Sequence, residues 1–443
     1  MNILQGVLSA RSHIVFIIAL LCGFATIYVV DASSSYIRQD AVQATADLVG
    51  RTKALPLAPQ ASLSEMQMSA ARTAWRYFEN NTDPATGLVN STDGFPSTTM
   101  WDTGSFLAGL ISAERLGLIS RDEFDRRLSA ALGSLARIEL FDNKLPNKVF
   151  DVRTLAKSDY RNKPSVRGTG WSSIDIARFL VPLTAIVWNY PQHAAEAEAV
   201  VSRWDLVALV GNGELAGAEV IADKTVIVQE GRVGYEQYGA KALMLRGLDA
   251  FASAQVALHV DYQMVGDIPV PVDDRPIGAS SPAFATSEPF LLDGVEFGFD
   301  TVSHVLASNV YRTQEQRFDD TGHLTAVTES HLSTEPYFGY ATVWGGGEAW
   351  SVMTLTGERL DSKRTLSTKA AFAWDALFGT AYTARLLQSI GDLADPENGW
   401  MEGRYEIDGS PNAVFTANTN GTILVSLAFH ARGPLLHSGD RLP

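Results

Sequence analysis

The sequence predicts an all-α-dominated fold, an (α/α)6 toroid of six inner and about six outer helices with short β-hairpins on one rim, preceded by an N-terminal membrane anchor. Three observations carry this. Segments apolar nearly all round recur six times after Ala61, amphipathic or irregular stretches mostly separate them, and each follows a loop rich in Gly, aromatic and small polar residues. A helix that is hydrophobic on every face belongs in an interior, whereas one with a single apolar stripe lies over it. Alternating the two kinds builds two concentric rings. The pairing lacks close sequence repetition, so a solenoid is not indicated, and an open helical array is the structural alternative.

At the N-terminus, residues 14–30 (IVFIIALLCGFATIYVV) form an uncharged apolar run between Arg11 and Asp31. Residues 1–31 therefore read as a signal anchor or transmembrane helix, with the basic end inside and everything after it in the periplasm of an inner-membrane-anchored protein. Cleavage at Val30-Asp31-Ala32 is the alternative. Cys22, the only cysteine, lies in this run, which excludes disulfides, thiol catalysis and cysteine metal sites from the exported part. Residues 32–60, with Ser, Ala, Gln, Pro56 and Pro59 and no sustained periodicity, read as a flexible linker. The toroid domain is assigned to residues 61–443. With 35 basic and 50 acidic residues the net charge is -15, which opposes phosphate backbones. No nucleic-acid partner is expected, and a neutral polymer fits better.

Outer helices are expected over Glu65 to Phe78, from Ser120 through Ile138, and over Ala197 to Val210. In the second, Phe124, Leu128, Ala131, Leu132, Leu135 and Ile138 recur at helical spacing, and Ser120 with Glu123 forms a capping box. Inner helices are expected to start near Asp102, Ser172, Tyr235, Val295, Lys369 and Asn418. Lys224 to Gln229 reads as a strand, and Tyr337 to Leu355 as a hairpin around Gly345-Gly346-Gly347. Asp261 to Phe284, with its many prolines, reads as a long loop.

Serine-hydrolase elbows, zinc-binding His-Glu-x-x-His and nucleotide loops are missing, and the scattered histidines have no ligand spacing, so neither metal nor cofactor is expected. What remains is carboxylates beside aromatics at the entries to apolar helices. Asp102 follows Trp101, Asp175 follows Trp171, Glu236 follows Tyr235 and Glu406 follows Tyr405. Each has a structural reading as well. Asp102 could be an N-cap, and Ser172 with Asp175 has capping-box spacing. Glu236 resists dismissal, because Tyr235 and Tyr238 flank it and Gly234 and Gly239 leave space, a setting that can raise a carboxyl pKa for acid catalysis. Glu296 and Asp300 lie one helical turn apart and are either a second acidic pair or a solvated edge. Asn418 suits hydrogen bonding to sugar hydroxyls, or capping.

The segments TGLVNSTDGFPSTTMWDTGSFLAGLISAERLGLIS, LPNKVFDVRT, GWSSIDIARFL, GRVGYEQYGAKAL, TGHLTAVTES, LSTKAAFAWDALF and GRYE followed by NTNG resemble, in series from about Ala70 onward, the bacterial envelope family called domain of unknown function 3131 (DUF3131). SSIDIA also resembles the Ser-x-Ile-Asp-Thr-Ala segment of glycoamylase-like proteins, among them endo-β-1,2-glucanases with an (α/α)6 fold. GYEQYGAKAL is similar to their Tyr-Asn-Glu-Ala segment, although Ile176 and Gln237 replace expected residues and no Asn stands between Tyr235 and Glu236. The resemblance implies that Glu236 matches their acid and Asp175 an acidic residue beside the scissile bond.

The resulting expectation is a periplasmic glycoside hydrolase-like protein acting on an oligo- or polysaccharide, a β-1,2-glucan being the best guess. Glu236 would protonate the leaving oxygen and Asp175 or Asp102 would activate water, with Glu406 in reserve; Trp101, Trp171, Tyr235, Tyr238 and Tyr405 would stack on sugars, and Glu296 and Asn418 would bind them. The inner membrane, through residues 14–30, and a polysaccharide synthase are the further partners considered. The alternative is a non-catalytic envelope protein that binds glycan or assists polysaccharide synthesis.

Overall fold

The computed structural model describes residues 11–275 and 283–437, and their side chains other than those of 11–14, 18, 25 and 27–39. The chain divides into two units, one ending at Thr52 and one beginning at Lys53. The described residues of the first form one helix, Arg11–Arg51. Residues 14–30, expected to be an anchor, lie in it with side chains only partly described, and among the described residues no helix is long and apolar enough to cross a membrane. The linker expectation needs correction: the helix runs unbroken through Asp40 to Val49, because Ala, Gln and Leu are compatible with helix and no proline intervenes before Pro56. The rest of that segment is pinned to the second unit. Leu55 N–H donates to Ser308 Oγ at 2.9 Å, Ala58 N–H to the Leu377 carbonyl at 2.8 Å and Ala61 N–H to the His430 carbonyl at 3.0 Å.

In the second unit twelve helices alternate between an outer and an inner layer, the (α/α)6 arrangement. The inner ring is Met100–Arg115, Ser173–Asn189, Tyr235–Leu245, Glu288–Leu292, Thr368–Phe378 and Ala417–Arg432. Each packs on the next, and the last packs on the first, so the ring closes. Every residue from Met100 to Ala113 and from Ala417 to Phe429 is buried, as the all-round apolar pattern requires. Closure depends on small residues: a Cβ on Gly421 would lie 2.5 Å from the Ser105 carbonyl oxygen of the facing inner helix. The outer layer is Glu65–Asn81, Arg121–Leu135, Ala194–Val201, the single turn Phe251–Ala254, Thr301–Thr321 and Ala381–Ile390. Phe124 and Leu128 show the expected one-sided burial, and Leu386 shows it in a helix separate from the inner one that starts at Thr368.

Three sequence expectations are displaced. The fourth inner helix does not start near Val295. It spans Glu288–Leu292 and a π turn over Asp293–Phe297, then stops at Gly298 (φ 84°), and the apolar run beyond belongs to the outer helix capped by Asp300. Gly adopts this left-handed geometry without steric cost, so it splits one apolar run between two layers. The third outer helix ends at Val201, short of Val210. The proline-rich segment after Asp261 is largely a hairpin, Val260–Val265 with Ile268–Asp273, pairing Tyr262 with Pro271 and Met264 with Pro269. Prolines two apart fall on equivalent ladder positions, so both can sit where no N–H is needed. The end of that segment, 276–282, lies outside the described residues.

Short sheets cluster where the inner helices begin. Ser97–Thr99 and Thr365–Ser367 lead directly into inner helices, and the hairpin Glu214–Ile221/Lys224–Gln229 contains the strand expected over Lys224 to Gln229. Glu329–His331, Phe338–Ala341 and Val352–Met353 form a three-stranded sheet, with a small hairpin, Trp344–Gly345/Glu348–Ala349, at the triple glycine. These sheets wall a cavity over the N-terminal ends of the inner ring.

Candidate active site

The cavity has a volume of about 1700 Å3 and opens to solvent. That exceeds the several hundred Å3 of a typical small-molecule pocket and suits an oligomer. Seven carboxylates line it, among them Asp102, Asp175, Glu230 and Glu329.

Asp175 stands in the first turn of the helix Ser173–Asn189. The reciprocal capping box predicted for it is absent: the Ser172 hydroxyl accepts the Asp175 N–H at 3.0 Å, but no return bond forms from the Asp175 carboxyl to the Ser172 N–H. The carboxyl instead faces the cavity, half-buried, and its pKa is pushed up to about 7, chiefly by desolvation and then by the charges of Glu230 and Asp102, against hydrogen bonding from Ser172 and the charge of Lys148. Asp102 is not the N-cap of its helix either. Thr99 holds that position, and both Ser91 and Thr99 hydroxyls donate to Asp102 Oδ2, at 2.6 and 2.8 Å. No described group bonds Asp102 Oδ1.

Glu329 lies on the three-stranded sheet, where the Tyr235 hydroxyl donates to its Oε2 at 2.5 Å. Burial and the neighbouring Glu288 push its pKa up to about 8, with Lys369 and the Tyr235 hydrogen bond opposing. Glu288 is itself locked behind the wall by Lys369 Nζ at 2.6 Å and by Asn418 Nδ2 at 2.7 Å. Asn418 thereby reaches the cavity with its amide already committed. Glu230 follows the strand Lys224–Gln229, and its Oε2 accepts the Ser173 N–H at 2.5 Å; burial raises its pKa, against hydrogen bonds from Ser172 and the Ser173 and Ile174 amides and the charge of Lys148.

Aromatic rings surround these acids. Trp101 and Tyr235 line the floor with centroids 5.8 Å apart. Around the mouth Phe95, Tyr160 and Tyr337 are 39%, 67% and 59% exposed. Exposed rings on three separate loops of one cavity are suited to stacking on sugar faces.

Sequence reasoning therefore placed Asp102, Asp175, Trp101, Tyr235 and Asn418 at the cavity, and it missed Glu230, Glu329 and the three rim rings. The other sequence candidates are placed elsewhere. Glu236 is fully buried, accepts from the Ser253 hydroxyl at 2.6 Å and is paired with Arg275. Neighbours on a helix point about 100° apart, so with Tyr235 turned into the cavity Glu236 is directed at the outer layer. Tyr238 and Glu296 form a buried cluster with Arg178, the Tyr238 hydroxyl donating to Glu296 Oε2 at 2.6 Å. Asp300 does not join Glu296; it caps the next helix through the Val302 and Ser303 N–H groups. The Trp171 indole donates to the Ala216 carbonyl at 3.0 Å inside the core. Tyr405 is bonded to Asn412 and Ser333, and Glu406 is clamped by Arg317 and Arg364 at 2.6 and 2.7 Å. A signal for the missed acids existed: Glu230 directly follows a strand, just before Gly231, and Glu329 is next to last in the quoted TGHLTAVTES segment.

The architecture has solved counterparts. An endo-β-1,2-glucanase from Chitinophaga pinensis, in complex with sophorotriose and glucose, superposes with a TM-score of 0.60 at 12% identity, over 84% of this chain and 94% of that one. A candidate glucoamylase from Bacteroides caccae gives 0.60 at 14% identity, over 84% and 94%. An endo-β-1,2-glucanase from Talaromyces funiculosus with bound sophorose gives 0.57 at 10% identity, over 84% of each chain. At these identities the likeness is one of fold. No curated protein matches the chain. Residues 69–433 match the family described as protein of unknown function (DUF3131), and the chain belongs to that family.

Proposed function

We propose that this protein hydrolyses glycosidic bonds of an oligo- or polysaccharide, a β-1,2-glucan being the preferred candidate, from an anchored position on the outer side of the inner membrane. The observation that carries the reading is the meeting of Asp175 and Asp102, from adjacent inner helices, in one aromatic-walled cavity of about 1700 Å3. The endo-β-1,2-glucanases of similar fold support the choice of glucan.

Hydrolysis needs a proton for the leaving oxygen and a base for water. With its pKa pushed up to about 7, Asp175 still carries a proton over much of the neutral range and gives it to the glycosidic oxygen as the C–O bond breaks. Asp102 Oδ1 takes a proton from the attacking water, whose oxygen forms the new bond to the anomeric carbon. Ser91 and Thr99 fix the orientation of that carboxylate. Glu329, held up to about 8, is an additional proton-bearing group on the opposite wall.

The test is incubation of the full chain with linear β-1,2-glucan and β-1,3-, β-1,4- and β-1,6-linked controls, with chromatography of the products. Shorter β-1,2-linked oligosaccharides, absent with Asp175→Asn and Asp102→Asn, are expected. Saturable glucan binding without any product would reject hydrolysis and leave a glycan-binding role.

A further inference from the structure

The helix carrying Asp175 begins deep in the cavity wall, where its first amide N–H groups need acceptors. Ser172 accepts the third, that of Asp175 itself. The first two are met from far away in sequence: Glu230, 57 positions on, accepts from Ser173 at 2.5 Å and from Ile174. Its seat is cut to size. A Cβ on Gly217, in the strand alongside, would lie 2.7 Å from Glu230 Oε2. Ser172 lies beside both the Glu230 and the Asp175 carboxyls, so the two acids meet at the head of one helix.

We propose that Glu230 is the positioning residue of this site: by accepting the first amide of the helix it fixes the turn on which Asp175 stands, and by its like charge it keeps the Asp175 proton in place. Two interacting carboxyls lose their protons in separate steps, and the one against the helix N-terminus is the better place for the negative charge. The groups facing Asp175 from the surrounding elements are consistent with that division. Glu219 comes from the hairpin and Glu230 from its end, Asp102 from the first inner helix, Tyr160 from its loop, and Glu329 and Tyr340 from the three-stranded sheet. Lys148 is the nearest opposing charge, and it lies 3.6 Å from Glu219.

The inference rests on the hydrolase reading only for its kinetic consequence, so its test uses a readout independent of turnover. In the full chain, the infrared carbonyl band of protonated Asp175, assigned by its loss in Asp175→Asn, is titrated with pH. In Glu230→Gln the amide oxygen still accepts the helix N–H groups but the charge is gone, and the midpoint should fall by about one pH unit. The basic limb of any glucan-cleaving activity should fall with it, through kcat more than KM. Gly217→Ala, which pushes the Glu230 carboxylate aside without altering any charge, should move the midpoint the same way and carries the test if Glu230→Gln does not fold. An unmoved midpoint in the folded variant overturns the proposal. A shifted midpoint in a protein whose parent releases no product upholds it while removing the hydrolase reading.

Discussion

Replacing Asp175 by Asn should cost activity and increase stability at the same time, with a pH signature in the second effect. The folded protein raises this carboxyl from 3.8 to about 7. A raised carboxyl binds its proton more tightly folded than unfolded, so stability falls as pH rises from the unfolded to the folded pKa, and most of the loss lies between pH 5 and 7. Roughly three pH units at about 1.36 kcal/mol each set an upper bound of about 4 kcal/mol. Because Asp175 is only half-buried and reached by cavity water, screening reduces this to about 1–2 kcal/mol. In a unit of this size that is about 1–3 °C in Tm. Asn cannot ionise, so thermal melts should show Asp175→Asn matching the parent more closely at pH 5 and exceeding it by that margin at pH 8. Release of reducing ends should drop by roughly 10^2- to 10^4-fold, the usual contribution of a positioned acid. An equal Tm difference at both pH values, or undiminished sugar release, would refute the reasoning.

Two further substitutions separate scaffold from site. Glu236→Gln should act on stability, because it removes one of the two buried carboxylates, with Asp273, that hold Arg275; a loss of about 1–3 kcal/mol is expected in denaturant melts, and a fully stable but inactive variant would return Glu236 to the chemistry. Tyr160→Ala removes an exposed ring at the mouth beside Asp175 and Glu230, and should raise KM for a glucan chain about 5–10-fold at nearly constant kcat; a loss confined to kcat would contradict a stacking role.

The ring of inner helices was legible because burial on all sides leaves a mark in every residue of Met100 to Ala113 and of Ala417 to Phe429, and the outer layer because Phe124, Leu128 and Leu132 keep helical spacing. Asp102 and Asp175 were legible for a related reason: each is an acid in the first turn of a helix that is otherwise almost wholly apolar. Local spacing misled where chain direction changes on a single residue, as at Gly298, which hands half an apolar run to the outer layer. It also misled at Glu236, since adjacency to Tyr235 says nothing about which side of the helix faces the cavity.

By itself the sequence determined the layered helical architecture and two of the acids, because periodicity and burial are properties of consecutive residues. Only the tertiary structure decided which carboxyl is free and which is spent. The first amide of the helix that carries Asp175 is satisfied by Glu230, which arrives from just after a strand, 57 positions away. Glu236, Glu296 and Glu406 lose their free charge to Arg275, Arg178 and Arg317, each likewise distant in sequence. Electrostatic partnership is set by distance in space, and helix-entry motifs record distance only along the chain.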